Sequence, residues 1–138
     1  MQIKSILLFI FIFLPSAYAD DVLIDVTELV GKSKAEVSSL IGDATSCSPS
    51  RHGETCQFVK AETEIVFIQG KADWITIEGL DDQPFNDATI ELLGFNSQRP
   101  TFSNTFTKRW EPVQGLLSVS LFKGASNADY AYIKAYTE

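Results

Sequence analysis

The clearest alternation in the chain lies at Leu117–Phe122, where Leu117, Val119 and Leu121 take one side and Ser118 and Ser120 the other. Strand side chains point alternately to two faces, so this stretch predicts a strand with one buried and one wet face. Thr55–Val59, Glu64–Ile68, Asp73–Ile77, Thr107–Trp110 and Asp129–Ile133 carry the β-branched and aromatic residues of further strands. Gly70 and Gly124 mark turns that would fold them into hairpins. Two stretches follow the helical period instead. Ser33 and Glu36 make a capping box, Val37, Leu40 and Ile41 give an apolar face, and Gly42 ends the helix. Asn86 is a second N-cap, Asp87 suits the positive end of the dipole, Ile90 and Leu93 form a face, and Gly94 closes it.

These elements recur in one order. Each helix ends on two aliphatics and a glycine, Leu40-Ile41-Gly42 and Leu92-Leu93-Gly94, and is followed by a loop and three strands. The spacing between matching positions grows from Gly42 and Gly94 (52 apart) to Gly70 and Gly124 (54) and Asp73 and Asp129 (56), as loop insertions in a duplicated unit would leave it. The expected fold is α+β: a tandem repeat of a helix followed by three antiparallel strands, in halves of about 30–79 and 84–137, forming one sheet with both helices on one face. The competing account is the chance recurrence of a common helix-then-hairpin motif.

The matching assigns faces. Ile75 and Ile77 correspond to Ala131 and Ile133 and should meet the helices. Trp74 and Thr76 correspond to Tyr130 and Tyr132 on the other face, which Tyr136 continues by the period of two. Rigid amphipathic rings dominate protein interfaces and sugar-stacking sites, so Trp74, Tyr130, Tyr132 and Tyr136, with Trp110 as a further member, form a candidate binding face. Lys108 and Arg109 are the candidate charge contacts, placed to orient an acidic group. The alternatives are ordinary cross-strand pairs on a solvated sheet, or reversed faces with the rings in the core.

The first nineteen residues change the setting. Lys4 precedes a nine-residue apolar run, Ile6–Leu14, and Ala17-Tyr18-Ala19 has the small-x-small form of a cleavage site. A membrane span needs roughly twenty apolar residues, so a cleaved signal peptide over residues 1–19 is expected rather than an anchor. The mature chain would then start at Asp20 and form a single domain over residues 20–138, periplasmic or secreted. Asp20 is not a cysteine, so no lipid anchor is indicated, and the later segments are too short or too polar to span a bilayer. Ten basic residues then face eighteen acidic ones, a net charge of −8. Such a surface repels nucleic-acid phosphates and anionic lipids and favours a partner with a basic surface. In an oxidising compartment Cys47 and Cys56 should form a disulfide. Closing that ring stabilises by about 2.5–3 kcal/mol in the chain-entropy model. A metal or catalytic pair is the alternative, but the only histidine is His52.

Val30-Gly31-Lys32-Ser33-Lys34-Ala35-Glu36-Val37 with Leu40-Ile41-Gly42, and Val66-Phe67-Ile68-Gln69-Gly70-Lys71-Ala72-Asp73-Trp74-Ile75, resemble a recurrent envelope module. It occurs in the outer-membrane assembly lipoproteins of the BamE (SmpA/OmlA) family and as a tandem pair in the β-lactamase inhibitor protein family (BLIP). The resemblance covers most of residues 30–78. It implies a non-enzymatic binding protein with no cofactor. Proteins of the BamE type carry a lipidated cysteine at the mature start, where this chain has Asp20. No inhibitory loop maps onto it residue by residue.

Catalytic patterns are scarce. His52 sits in the small loop between the two cysteines, a poor place for an oriented base. The acid pairs Asp81-Asp82 and Glu62/Glu64 reflect an acidic chain, and Asp81–Asp87 lacks the order of a calcium loop. There is no zinc spacing and no phosphate-cradling glycine loop. The expectation is an exported binding module, not an enzyme, that recognises a protein as inhibitor, immunity protein or assembly accessory. The alternative is a small-ligand or glycan binder using the same rings.

Overall fold

The stretch Leu117–Phe122 forms a strand, Ser118–Lys123, in which Val119 and Leu121 are buried as expected and Ser118 is partly exposed, but Ser120, expected on the wet face, is buried, and Leu117 lies before the strand and is only partly buried. The strand belongs to an eight-stranded antiparallel sheet in a computed structural model that describes Ile10 and residues 22–138. The strands are β1 (Ser46–Pro49), β2 (Glu54–Phe58), β3 (Thr63–Ile68), β4 (Lys71–Ile77), β5 (Phe102–Ser103), β6 (Thr107–Trp110), β7 (Ser118–Lys123) and β8 (Ala128–Lys134). Their spatial order is β1-β2-β3-β4-β8-β7-β6-β5. Each half of the chain contributes four strands, and the halves meet at β4 and β8, where Ile75 opposes Ile133 and Thr76 opposes Tyr132.

One face of the sheet is the core. Phe58, Ile65, Phe67, Ile75, Ile77, Ala131, Ile133, Val119, Leu121 and Trp110 are all buried on it, as period-two side chains from neighbouring strands must be when they share a face. The covering layer is thin: the helical turn α1 (Val26–Leu29), the helix α2 (Lys34–Ile41) and a 3-10 segment at Asp87–Leu93. It places Val26, Leu29, Val37, Ile90 and Leu93 against the sheet. The α2 start is the capping box read from the sequence. Ser33 Oγ accepts from the Glu36 amide, and the Ser33 amide donates to Glu36 Oε1 at 3.2 Å. The bond from the Ser33 amide and, after it, the Ser33 hydroxyl hold the Glu36 carboxyl below the ordinary glutamate range.

The chain is therefore not a tandem repeat of one helix and three strands. The described residues are mostly sheet, with two short α-helices among them, both before β1. The second expected helix is instead a 3-10 segment, Asp87–Leu93, whose buried aliphatics Ile90 and Leu93 lie one 3-10 turn apart. Thr89, in the capping position, also turns its hydroxyl back to the Pro84 carbonyl. Two strands carry no alternation to read: β1 is exposed at all four positions, and β5 has only two residues. Pairing with β2 and β6 makes them strands.

Cys47 and Cys56 do form a disulfide, lying opposite each other on β1 and β2. Among the described residues no helix is long and apolar enough to cross a membrane. The expected signal peptide over residues 1–19 and the start at Asp20 lie, apart from Ile10, outside the described residues. Hydrogen bonds between Ser50 and Gly53 close the β1–β2 turn, and Gly53 lies so near β3 that a Cβ there would collide with the Phe67 carbonyl oxygen. Only glycine lets that turn, with His52 on it, approach so closely.

Candidate functional site

The face opposite the core is set by β4 and β8. Trp74, Thr76, Tyr130, Tyr132 and Lys134 alternate with buried neighbours and remain partly exposed. Register then fixes the rows. Trp74 opposes Lys134, and Lys134 opposes Ser118. Thr76, Tyr132, Ser120, Arg109 and Phe102 follow one another across five strands. Tyr130 opposes Phe122, and their rings stack with centroids 4.6 Å apart and planes at 22°. His52 leans from its turn onto Trp74, edge to face at 4.6 Å. Arg109 Nε donates to Ser120 Oγ at 3.2 Å while its guanidinium lies over the Phe102 ring at 5.8 Å. A flat aromatic surface with polar groups between its rings can stack against a partner and hydrogen-bond to it.

Not every expected member is there. Trp110 is 1% exposed and faces the core: it opposes Val119, and its Nε1 donates to the Gln98 carbonyl at 2.9 Å. The reason is parity. Arg109 points to the aromatic face, so its neighbour on β6 points away. The same rule divides the basic pair. Lys108 turns to the core side, pairs with Asp87 at 2.8 Å and lies over the Phe85 ring at 5.3 Å. Tyr136 is exposed beyond the end of β8, its ring beside Gly31 at the junction of α1 and α2.

An element invisible in the sequence holds this end together. The β3–β4 register shifts between Val66 and Phe67, so Asp73 is the extra residue of a bulge, 5% exposed. Its carboxylate accepts from the Tyr136 amide (2.9 Å), the Thr137 amide (3.2 Å) and Thr137 Oγ1 (2.7 Å). Trp74 Nε1 donates to the Thr137 carbonyl at 2.8 Å. The strap formed by Tyr136 and Thr137 thereby fixes the indole, while His52 buttresses its ring. An open cleft of about 580 Å³ adjoins the strap, lined in part by Gly31, Gln69, Lys71, Asp73 and Tyr136. His52, Phe122, Phe102 and Lys134 were not among the expected residues. Phe122 and Lys134 follow from period two once the register is known, whereas His52 depends on the turn over β3.

Burial pushes the Tyr132 phenol above its ordinary pKa, and the nearby Asp73 and Glu64 carboxylates add to the shift. The folded chain therefore keeps this proton where the unfolded chain has begun to lose it. The contribution to stability is whole below pH ~10 and declines as pH rises further. Urea midpoints for the parent chain and Tyr132→Phe should run parallel up to that pH, with the parent falling faster above it.

The one cluster of metal-type ligands among the described residues is Cys47, Glu54 and Cys56, and its sulfurs are committed to the disulfide. Asp81 and Asp82 are exposed in the turn before the 3-10 segment, and Glu64 is hydrogen-bonded to Gln57 at 2.7 Å. Compared with protein-family models, with curated proteins and with solved structures, the chain matches none.

Proposed function

We propose that this is an exported, non-enzymatic binding module that recognises a protein through the sheet face bearing Trp74, Tyr130 and Tyr132. The observation that carries the reading is the separation of the two faces. The core is complete on one side with Trp110 inside it, and a second set of large rings stays partly exposed on the other. Large rings at the surface add little to a fold that already has its core, but they are the residues that anchor interfaces. The apolar run and small-residue site in residues 1–19, the disulfide and the resemblance of Val30–Ile75 to envelope modules support action in the periplasm or outside the cell. The acidic surface favours a partner that is basic overall. An inhibitor, an immunity protein or an assembly accessory would all use such a face.

Alanine at Trp74, Tyr130 and Tyr132 together should leave a cooperative unfolding transition but abolish capture of the partner from a periplasmic extract. Retained capture by the folded triple variant overturns the reading. Thermal shift against cell-wall fragments, run on the same proteins, tests the glycan alternative: a dose-dependent rise that the triple variant loses would replace a protein partner with a saccharide.

A further inference from the structure

The Cys47–Cys56 disulfide ties down a strand that the core does not use. β1 is the outermost strand on its side of the sheet, paired with β2 alone. All four of its residues are exposed, and none belongs to the buried core. Apolar burial therefore does not hold β1 in place; backbone pairing with β2 and the disulfide do. The crosslinked hairpin runs on into the turn whose His52 ring meets Trp74 edge to face at 4.6 Å. The indole is thus held from two directions, by the Thr137 carbonyl of the strap and by this turn. The strap has its own anchor in Asp73, whereas the turn lies inside the ring that the disulfide closes, with His52 on the β1 side of Gly53. The sulfurs also have surroundings that suit a bond able to open. Cys47 is exposed to a reductant, and Cys56 is fully buried. Glu54 Oε1 lies 3.7 Å from Cys56 Sγ, and Lys34 Nζ holds the same oxygen at 2.7 Å. A disulfide sulfur has no hydrogen to give a carboxylate, but a thiol has one, so Glu54 stands where only the reduced form can bond to it.

We propose that this disulfide is a redox control on the aromatic face. Closed, it keeps His52 against Trp74. Opened by a dithiol reductant, it lets β1 and the turn move away, and the face loses a buttress while the rest of the sheet stays folded. The proposal rests on the aromatic face being the working surface. One thiolate of the reductant attacks the exposed Cys47 sulfur, forms a mixed disulfide and expels Cys56 as a thiolate, which takes up a proton. The second thiolate of the reductant attacks its own sulfur in the mixed disulfide and releases Cys47, which is protonated in turn. Two electrons and two protons pass to the protein, and the reductant leaves as its disulfide. The Cys56 thiol then donates to Glu54, which opposes reclosure.

The test is NMR of the full chain, oxidised and then reduced with dithiothreitol, beside a variant carrying Cys47→Ser and Cys56→Ser. Reduction should abolish the NOEs between the His52 and Trp74 rings and move the Trp74 indole N–H resonance to the position it takes in His52→Ala. Exchange of the Thr45 amide, bonded to the Gln57 carbonyl at 2.8 Å, should rise to the rate of an open chain. The Trp110 indole lies in the core and should keep its resonance, and urea should still give one cooperative transition. Ring NOEs that survive reduction overturn the proposal. Loss of the cooperative transition overturns it too, because the disulfide would then brace the whole fold. Glu54→Ala should shift the equilibrium with dithiothreitol severalfold towards the disulfide, and an unchanged equilibrium removes Glu54 from the account. The serine variant should capture partner severalfold less well from a periplasmic extract. If its capture is unchanged while the triple alanine variant loses capture, the redox control is refuted and the aromatic face stands. If the triple alanine variant still captures its partner, the face itself falls.

Discussion

Trp110→Ala should destabilise the fold by about 3–5 kcal/mol, the range for removing a large buried aromatic from a core. The indole is 1% exposed, sits opposite Val119 and spends its N–H on the Gln98 carbonyl. The substitution therefore leaves a cavity and also orphans an acceptor. Trp74→Ala removes a ring of the same size, but from a partly exposed site whose polar bond is to the strap. Its cost should be about 1–2 kcal/mol, one hydrogen bond and partial apolar burial. Urea unfolding of the two variants side by side checks this. Equal losses, or a greater loss at Trp74, would mean that the faces are reversed.

Asp73→Ala should cost about 2–4 kcal/mol, because hydrogen bonds to a charged acceptor are the strong ones and three donors lose theirs at once. The effect should also be local. Hydrogen exchange of the Tyr136 and Thr137 amides should rise to the rate of an open chain, while amides in β3 and β7 follow only the drop in global stability. Asp73→Asn keeps one acceptor oxygen and should lose less than the alanine variant. Uniform exchange behaviour across the sheet would show that Asp73 supports the fold generally and does not anchor the strap.

Much of the sheet was legible because period two is a strong signal where one face is buried. Ile75, Ile77, Ala131 and Ile133 are in the core, and Trp74, Tyr130 and Tyr132 share the other face. The capping box at Ser33 and the disulfide were likewise written locally. The architecture was not. Similar order of elements suggested a duplicated helix-and-hairpin unit. The helix over Asp87–Leu93 tightened into a 3-10 segment, and two strands formed where no pattern announced them. The site was misread where a single residue of parity decides. Trp110 and Lys108 were grouped with the aromatic face, whereas β6 turns only Arg109 towards it. Asp73 and His52 depend on a bulge and on a turn crossing another strand. Both are tertiary events with no mark in the local sequence.

Partner capture and urea unfolding, measured on one preparation of the Trp74, Tyr130 and Tyr132 triple alanine variant, bear most directly on the central claim that the exposed aromatic sheet face is the binding surface. A cooperative transition with capture lost is the expected result. A folded variant that captures its partner as well as the parent chain would contradict it.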